Sequence, residues 1–151
     1  MKSSCPEMRE ILSYYAGFID GEGYIGIKKH HPPKSKEKGF SPTYSERISV
    51  AGISEASIFA FNDLMLGCMH FHKPTKLSKR GYWSWEITDS KAREFLTMIY
   101  PYLRLKALDA ALVLALGKNK KSNNRKRIKP IDLKLREDLY NLLKILHHYH
   151  G

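Results

Sequence analysis

The chain has 151 residues, with 26 Lys and Arg against 15 Asp and Glu, a formal net charge of +11 and a pI of about 9.6. That length suits one domain with a sizeable core, and that charge points to a polyanionic partner, either nucleic acid or an anionic membrane surface. No stretch approaches the ~18 consecutive apolar residues of a membrane span, the start lacks the apolar core of a secretory leader, and Cys5 and Cys68 have no metal-ligand spacing. The expectation is a single domain over 1–151 in an intracellular, reducing compartment, not secreted, with no membrane partner and two ordinary, partly buried thiols.

Ser4-Cys5-Pro6-Glu7 reads as a capping box, with Ser4 as N-cap, Glu7 reaching back and proline tolerated in the first turn. It opens a first helix over residues 5–19. On a 3.6-residue period Leu12, Tyr15 and Ile19 form an apolar stripe that suits a core. Ser13, Ala16, Gly17, Asp20 and Gly21 form a second stripe of small or acidic residues. Small residues let two helix backbones approach closely, so this face predicts a buried helix–helix contact, including one with a second copy of the chain. The helix runs into Asp20 and Glu22, set between glycines. Its C-terminus carries negative partial charge, which disfavours a carboxylate there by about 0.3–1 kcal/mol. The motif holds no Lys or Arg to offset this. A divalent cation would remove the conflict, because hard cations take oxygen ligands. The bland alternative is that Asp20 bonds a neighbouring backbone and Glu22 is solvated.

After Gly23 the run to His30 alternates, with Ile25 and Ile27 on one face and Tyr24, Gly26, Lys28 and His30 on the other, as in a strand. Residues 31–41 are a basic loop of Pro, Lys, Ser and Gly. Residues 44–51 alternate again, Ile48 and Val50 inward, Ser45, Arg47 and Ser49 outward. Ser54 caps a second helix bearing Ile58, Phe61 and Met65 and ending at Gly67. A hairpin follows, Met69 and Phe71 on one face and His70 and His72 on the other, turning at Lys79-Arg80-Gly81. On its return strand Trp83, Trp85 and Ile87 alternate with Tyr82, Ser84 and Glu86. Three helical stretches close the chain, over residues 90–100, 103–116 and 131–147, the last two separated by a basic loop over 118–129.

The stretch Tyr15-Ala16-Gly17-Phe18-Ile19-Asp20-Gly21-Glu22-Gly23 resembles the signature of the LAGLIDADG homing endonucleases, departing from it at Tyr15 and Gly21. Pro101-Tyr102-Leu103-Arg104-Leu105-Lys106 is similar to a second stretch of that family, whose last lysine points into the active site. The resemblance covers residues 7–117. It implies an α+β fold: an αββαββα core, a curved four-stranded antiparallel saddle sheet, and C-terminal helices added to it. It implies a metal-dependent endonuclease acting on double-stranded DNA, with Mg²⁺ in the site or Mn²⁺ or Ca²⁺ in its place. Glu22 is then the metal-binding acid, Gly21 a carbonyl ligand, Asp20 a weaker ligand that supports the helix end and interface, and Lys106 a catalytic lysine. Ser54 stands where the family places a water-positioning side chain.

One acidic helix per chain implies a homodimer paired through Ser13, Ala16, Gly17, Asp20 and Gly21, acting on a partly palindromic site and leaving staggered ends. A two-stranded ribbon fits the major groove. The outward sheet residues Tyr24, Lys28, His30, Ser45, Arg47, Ser49, His70, His72, Ser84 and Glu86 are therefore the expected base-facing set. Lys34, Lys36, Lys38, Lys79, Arg80, Lys120, Lys121, Arg125 and Lys126 are the expected phosphate anchors. The alternatives are an intron-RNA splicing cofactor and a non-catalytic DNA-binding regulator on the same fold.

Overall fold

The alternation in β2 (Thr43–Gly52) sets the layering of the molecule. Tyr44, Glu46, Ile48 and Val50 are buried, while Ser45, Arg47 and Ser49 between them are half-buried on the opposite face. A period of two turns successive side chains to opposite sides of a sheet, so one strand specifies both the core and a polar surface. The computed structural model describes residues 6–32, 41–122 and 128–150. Its order is α1 (Pro6–Glu22), β1 (Gly23–His30), β2, α2 (Glu55–Leu64), β3 (Cys68–His72), β4 (Tyr82–Thr88), α3 (Asp89–Ile99), a 3-10 turn (Tyr100–Tyr102), α4 (Ala107–Ser122) and α5 (Pro130–His150). The fold is α+β, an αββαββα core followed by two helices, as expected.

The strands form one antiparallel sheet in the order β1-β2-β4-β3. Ile25 pairs with Ile48 and Ile48 with Ile87, while Val50 lies between Gly23 and Trp85. These rows stack the aliphatic side chains on one face, where Leu12, Ala16 and Ile19 of α1, Phe61 of α2, Phe95 and Leu96 of α3 and Val113 and Leu116 of α4 complete the core. Phe61 sits at its centre, in ring contact with Tyr15, Phe18, Trp85 and Phe95. Burying such side chains contributes about 1.5–3 kcal/mol each, before conformational entropy is set against it. Ser54 caps α2 as expected, its Oγ accepting from the Ser57 amide at 3.4 Å and from the Ser57 hydroxyl at 3.1 Å.

Several boundaries differ from expectation. α1 continues through Glu22, so both acids lie in its last turn. Residues 103–106 are not helical; α4 starts at Ala107 and extends to Ser122, placing Lys118, Lys120 and Lys121 on a helix where a loop was expected. On that helix Lys120 meets Glu46, a wholly buried carboxylate on the core face of β2. Its ammonium lies 2.6 Å from Glu46 Oε2 and 2.9 Å from Asp89 Oδ1, and Arg93 approaches Glu46 Oε1 at 3.2 Å. Ala16 is fully buried against the molecule's own core, so it leaves the small-residue stripe expected to face a second copy. Cys68 is exposed, not partly buried. Ser4, Cys5, Lys34, Lys36, Lys38, Arg125 and Lys126 lie outside the described residues.

The last helix, to which the sequence assigned no role, is tied to the sheet at two points. Glu137 accepts from Lys29 Nζ at 2.9 Å and from the Tyr44 hydroxyl. These two bonds hold its carboxyl below the usual range, while burial and the same carboxylate push the Tyr44 phenol well up. His147 Nε2 lies 3.0 Å from the Ile25 carbonyl and 3.1 Å from Oδ2 of buried Asp109. α5 thereby fixes β1 against α4.

Candidate active site and nucleic-acid interface

The end of α1 is held by a turn 84–86 residues away in sequence. Asp20 Oδ2 accepts from the Arg104 amide at 2.8 Å, and Oδ1 from the amides of Leu105 at 3.2 Å and Lys106 at 2.9 Å. These donors precede α4, so Asp20 serves as a cap supplied from another element, satisfying N–H groups that would otherwise lack partners. In return Lys106 Nζ donates to the Asp20 backbone carbonyl at 2.6 Å. The cation missing from the motif arrives from this turn and offsets the negative helix end. Asp20 thus takes the backbone-bonding role that was the alternative to metal ligation.

Glu22, two residues on, is exposed and makes no hydrogen bond or ion pair with any described residue. It stands at one end of a concave trough of about 540 Å³ on the polar face of the sheet. Gly23, Tyr24, Arg47, Ser49, Val50, Ala51, Cys68, His70, His72, Tyr82, Ser84, Trp85 and Glu86 form its other walls. Seven of the residues expected to face bases therefore meet in one hollow, together with the acid expected to cut. Lys28, His30 and Ser45 share that face by register but lie farther along β1 and β2. Cys68 and Tyr82 were missed as lining residues; their alternation with Met69 and Trp83 was the signal available.

The walls are organised by contacts among themselves. The tip of the Tyr24 ring lies over Gly26, so a Cβ at that position would force the ring to move. Burial raises the Tyr24 phenol above its ordinary pKa, the neighbouring Arg47 only partly opposing this. The Arg47 guanidinium lies 5.6 Å from the Tyr24 ring centroid, and its Nε and Nη2 each reach Glu86 Oε2 at 2.6 Å. On the other wall the His72 ring stacks on Tyr82 at 4.4 Å, contacts His70 at 4.6 Å, and lies 2.9 Å through Nε2 from Ser84 Oγ.

Lys120 does not face the trough, being committed to Glu46 and Asp89. Burial pushes the Asp89 carboxyl up, but the bond and charge of Lys120, a bond from Ser45 and the charge of Arg93 together outweigh it and hold the group below its usual range. Lys121 is exposed beside Ser90, Arg93 and Glu94 in the helical layer. Lys79 and Arg80 are exposed in the connection between β3 and β4. Ser54 is exposed and serves as the cap of α2, its Oγ accepting from Ser57.

Outside the trough, Ser13, Gly17 and Gly21 remain exposed along α1, and a Cβ added at Gly17 or Gly21 would meet nothing within 4 Å. Among the described residues nothing packs close enough to need their small size. The Tyr14 ring, 60% exposed, borders this strip.

Among the described residues no three His, Cys, Asp or Glu side chains are grouped to hold a metal ion. At the end of α1 one chain offers the Glu22 carboxylate and the Gly21 carbonyl, hard oxygen donors of the type that suits Mg²⁺ or Ca²⁺. They fit such an ion in kind, and two oxygens are fewer than the roughly six or more it usually takes, so the remaining positions would be filled by other oxygens such as water or phosphate. No described helix is long and apolar enough to cross a membrane.

No protein-family profile and no curated protein sequence matches the chain. Solved structures do. The homing endonuclease I-CvuI, in complex with the I-CreI target in the presence of Mg, superposes with a TM-score of 0.69 at 22% identity over 93% of this chain and 83% of that one. The archaeal intron-encoded homing endonuclease I-Vdi141I, complexed with DNA, gives 0.69 at 13% identity over 90% and 83%. For the LAGLIDADG homing endonuclease I-LtrWI, bound to target DNA, the values are 0.64, 15%, 93% and 45%, so this chain spans less than half of that protein. At such identities the likeness is one of architecture: this chain has the fold of the LAGLIDADG homing endonucleases.

Proposed function

We propose that the chain is a sequence-specific, divalent-metal-dependent endonuclease that acts as a homodimer on double-stranded DNA. The observation that carries this reading is Glu22: an exposed carboxylate with no partner among the described residues, at one end of a trough otherwise walled by base-competent polar and aromatic side chains. The net charge of +11 favours a polyanion in that trough. The solved neighbours described above were each captured with DNA.

Glu22 and the Gly21 carbonyl would hold the metal, which when bound supplies charge stabilisation at the scissile phosphate and a more acidic water. Lys106 places its ammonium on the Asp20 carbonyl beside this site, where it adds positive potential toward charge developing on the phosphate. Two chains packed through Ser13, Gly17 and Gly21 bring two Glu22 carboxylates together, one for each strand. A two-fold protein reads a partly palindromic site.

The test uses plasmid carrying the uninterrupted locus that flanks the gene, incubated with Mg²⁺ or with EDTA. Cleavage with Mg²⁺, lost in EDTA and in Glu22→Gln while duplex binding persists, is the expected result. Cleavage by Glu22→Gln would remove that residue as the ligand. Absence of cleavage, with RNA bound equally well in EDTA, would overturn the reading in favour of an intron-RNA splicing cofactor.

A further inference from the structure

We infer that Arg47 and Glu86 act as one unit that reads a single G·C base pair in the major groove, an assignment that rests on the nuclease reading above. The two residues lie on neighbouring strands; Glu86 pairs with Ser49 across β2 and β4, which sets it diagonally opposite Arg47. Both side chains line the trough, 37% and 31% exposed. Arg47 spends Nε and one Nη2 hydrogen on a single Glu86 oxygen, Oε2. That pairing leaves Nη1 and the second Nη2 hydrogen as donors, with Glu86 Oε1 as an acceptor beside them. The Tyr24 ring packs against the guanidinium and restricts its rotation. The pair therefore presents a fixed row of donor, donor, acceptor to whatever fills the trough.

Each base pair shows the major groove its own row of groups. G·C, read from the guanine side, shows N7 and O6 as acceptors and then the cytosine N4 hydrogen as a donor, the complement of the row on the protein. T·A and A·T each place an acceptor against Glu86 or a donor against Arg47. C·G presents the row reversed. An arginine alone reads guanine; the attached carboxylate adds the cytosine and fixes the orientation. A pair formed only to neutralise charge would not need to sit in the trough, half-exposed, with an aromatic ring fixing one partner. Arg47 lies three positions along β2 from Val50, the register partner of Gly23, which is about 10 Å from the end of the trough that Glu22 occupies. The base pair read is thus close to the cleavage centre.

Selection from a random duplex library, without Mg²⁺, tests this with the full-length protein. Wild type should enrich a two-fold site containing one G·C pair in each half, with discrimination of about fivefold to a hundredfold against the other pairs there. Arg47→Ala and Glu86→Ala should each flatten the preference at that position alone. The exchanged variant Arg47→Glu with Glu86→Arg keeps the ion pair and reverses the row, so it should select C·G at the same place. An enriched site that is identical in all variants, bound uniformly more weakly, would assign the pair to scaffold or phosphate contact and overturn the inference while leaving the nuclease reading intact. Failure of wild type to enrich any duplex sequence would remove both.

Discussion

Lys106 Nζ lies 2.6 Å from the backbone carbonyl of Asp20, while Asp20 accepts from the Lys106 amide at 2.9 Å. This reciprocal pair divides the two acids of the motif into different jobs. Asp20 is satisfied within the chain, and Glu22 has no partner among the described residues. Asp20→Ala should lower stability by about 1–2 kcal/mol, the scale of a lost side-chain cap. Glu22→Gln should change it by no more than about 0.5 kcal/mol, as for a surface site. Equilibrium urea unfolding of the two variants checks the contrast; equal losses would contradict it.

The open strip on α1 separates folding from pairing. A methyl group at Gly17 or Gly21 meets no atom of the described residues within 4 Å, and alanine favours a helix over glycine by about 0.5–1 kcal/mol. The monomer should gain that much. In the proposed dimer the same methyl groups would hold two backbones apart, and the bulkier Gly17→Leu should abolish pairing. Sedimentation equilibrium is expected to give monomer for Gly17→Leu and dimer for wild type. A dimeric Gly17→Leu protein would move the interface elsewhere.

Lys120 and Lys121 are adjacent in sequence and should behave differently. Removing the Lys120 ammonium deprives the buried Glu46 carboxylate of its 2.6 Å partner. Breaking such a pair costs about 3 kcal/mol, the lower end of the usual range here because Arg93 remains. Lys120→Met should therefore melt well below wild type, and Lys121→Met should melt like wild type. Similar melting of the two variants would deny Glu46 its role.

Much of this was legible in the sequence. Strict alternation around Ile48 and Val50, and around Trp85 and Ile87, fixed the strands and their two faces, because a period of two leaves no other choice once one face is apolar. The motif itself marked the helix end. What local pattern could not reveal were pairings between distant segments. Nothing near Asp20 announces amides at 104–106, and nothing near Lys120 announces a buried acid at position 46. Ala16 was assigned to the wrong face because a small residue suits either a core or an interface; only the position of Ile19 and Phe61 decides it. The role of α5 was hidden because its anchors, Lys29, Ile25 and Asp109, are scattered over the chain.

Acid should loosen α5 first. The Glu137 carboxyl is lowered by its bonds from Lys29 and then Tyr44, with burial opposing them. A carboxyl depressed in the folded state adds stability that is complete above its unfolded value, about 4.3, and disappears as pH falls through the lower folded value. The gap in melting temperature between wild type and Glu137→Gln should thus be widest at neutral pH and close below about pH 4. A gap that stays constant down to pH 3 would show that the carboxylate is not the anchor.

Mixed dimers test the central claim most directly, namely that two chains each bring one Glu22 to one strand. Wild-type protein co-refolded with an excess of Glu22→Gln should convert supercoiled plasmid carrying the site, in Mg²⁺, mainly to nicked circle, since each heterodimer retains one cutting acid. Linear product undiminished relative to the same amount of wild type alone, with no nicked circle accumulating, would contradict it.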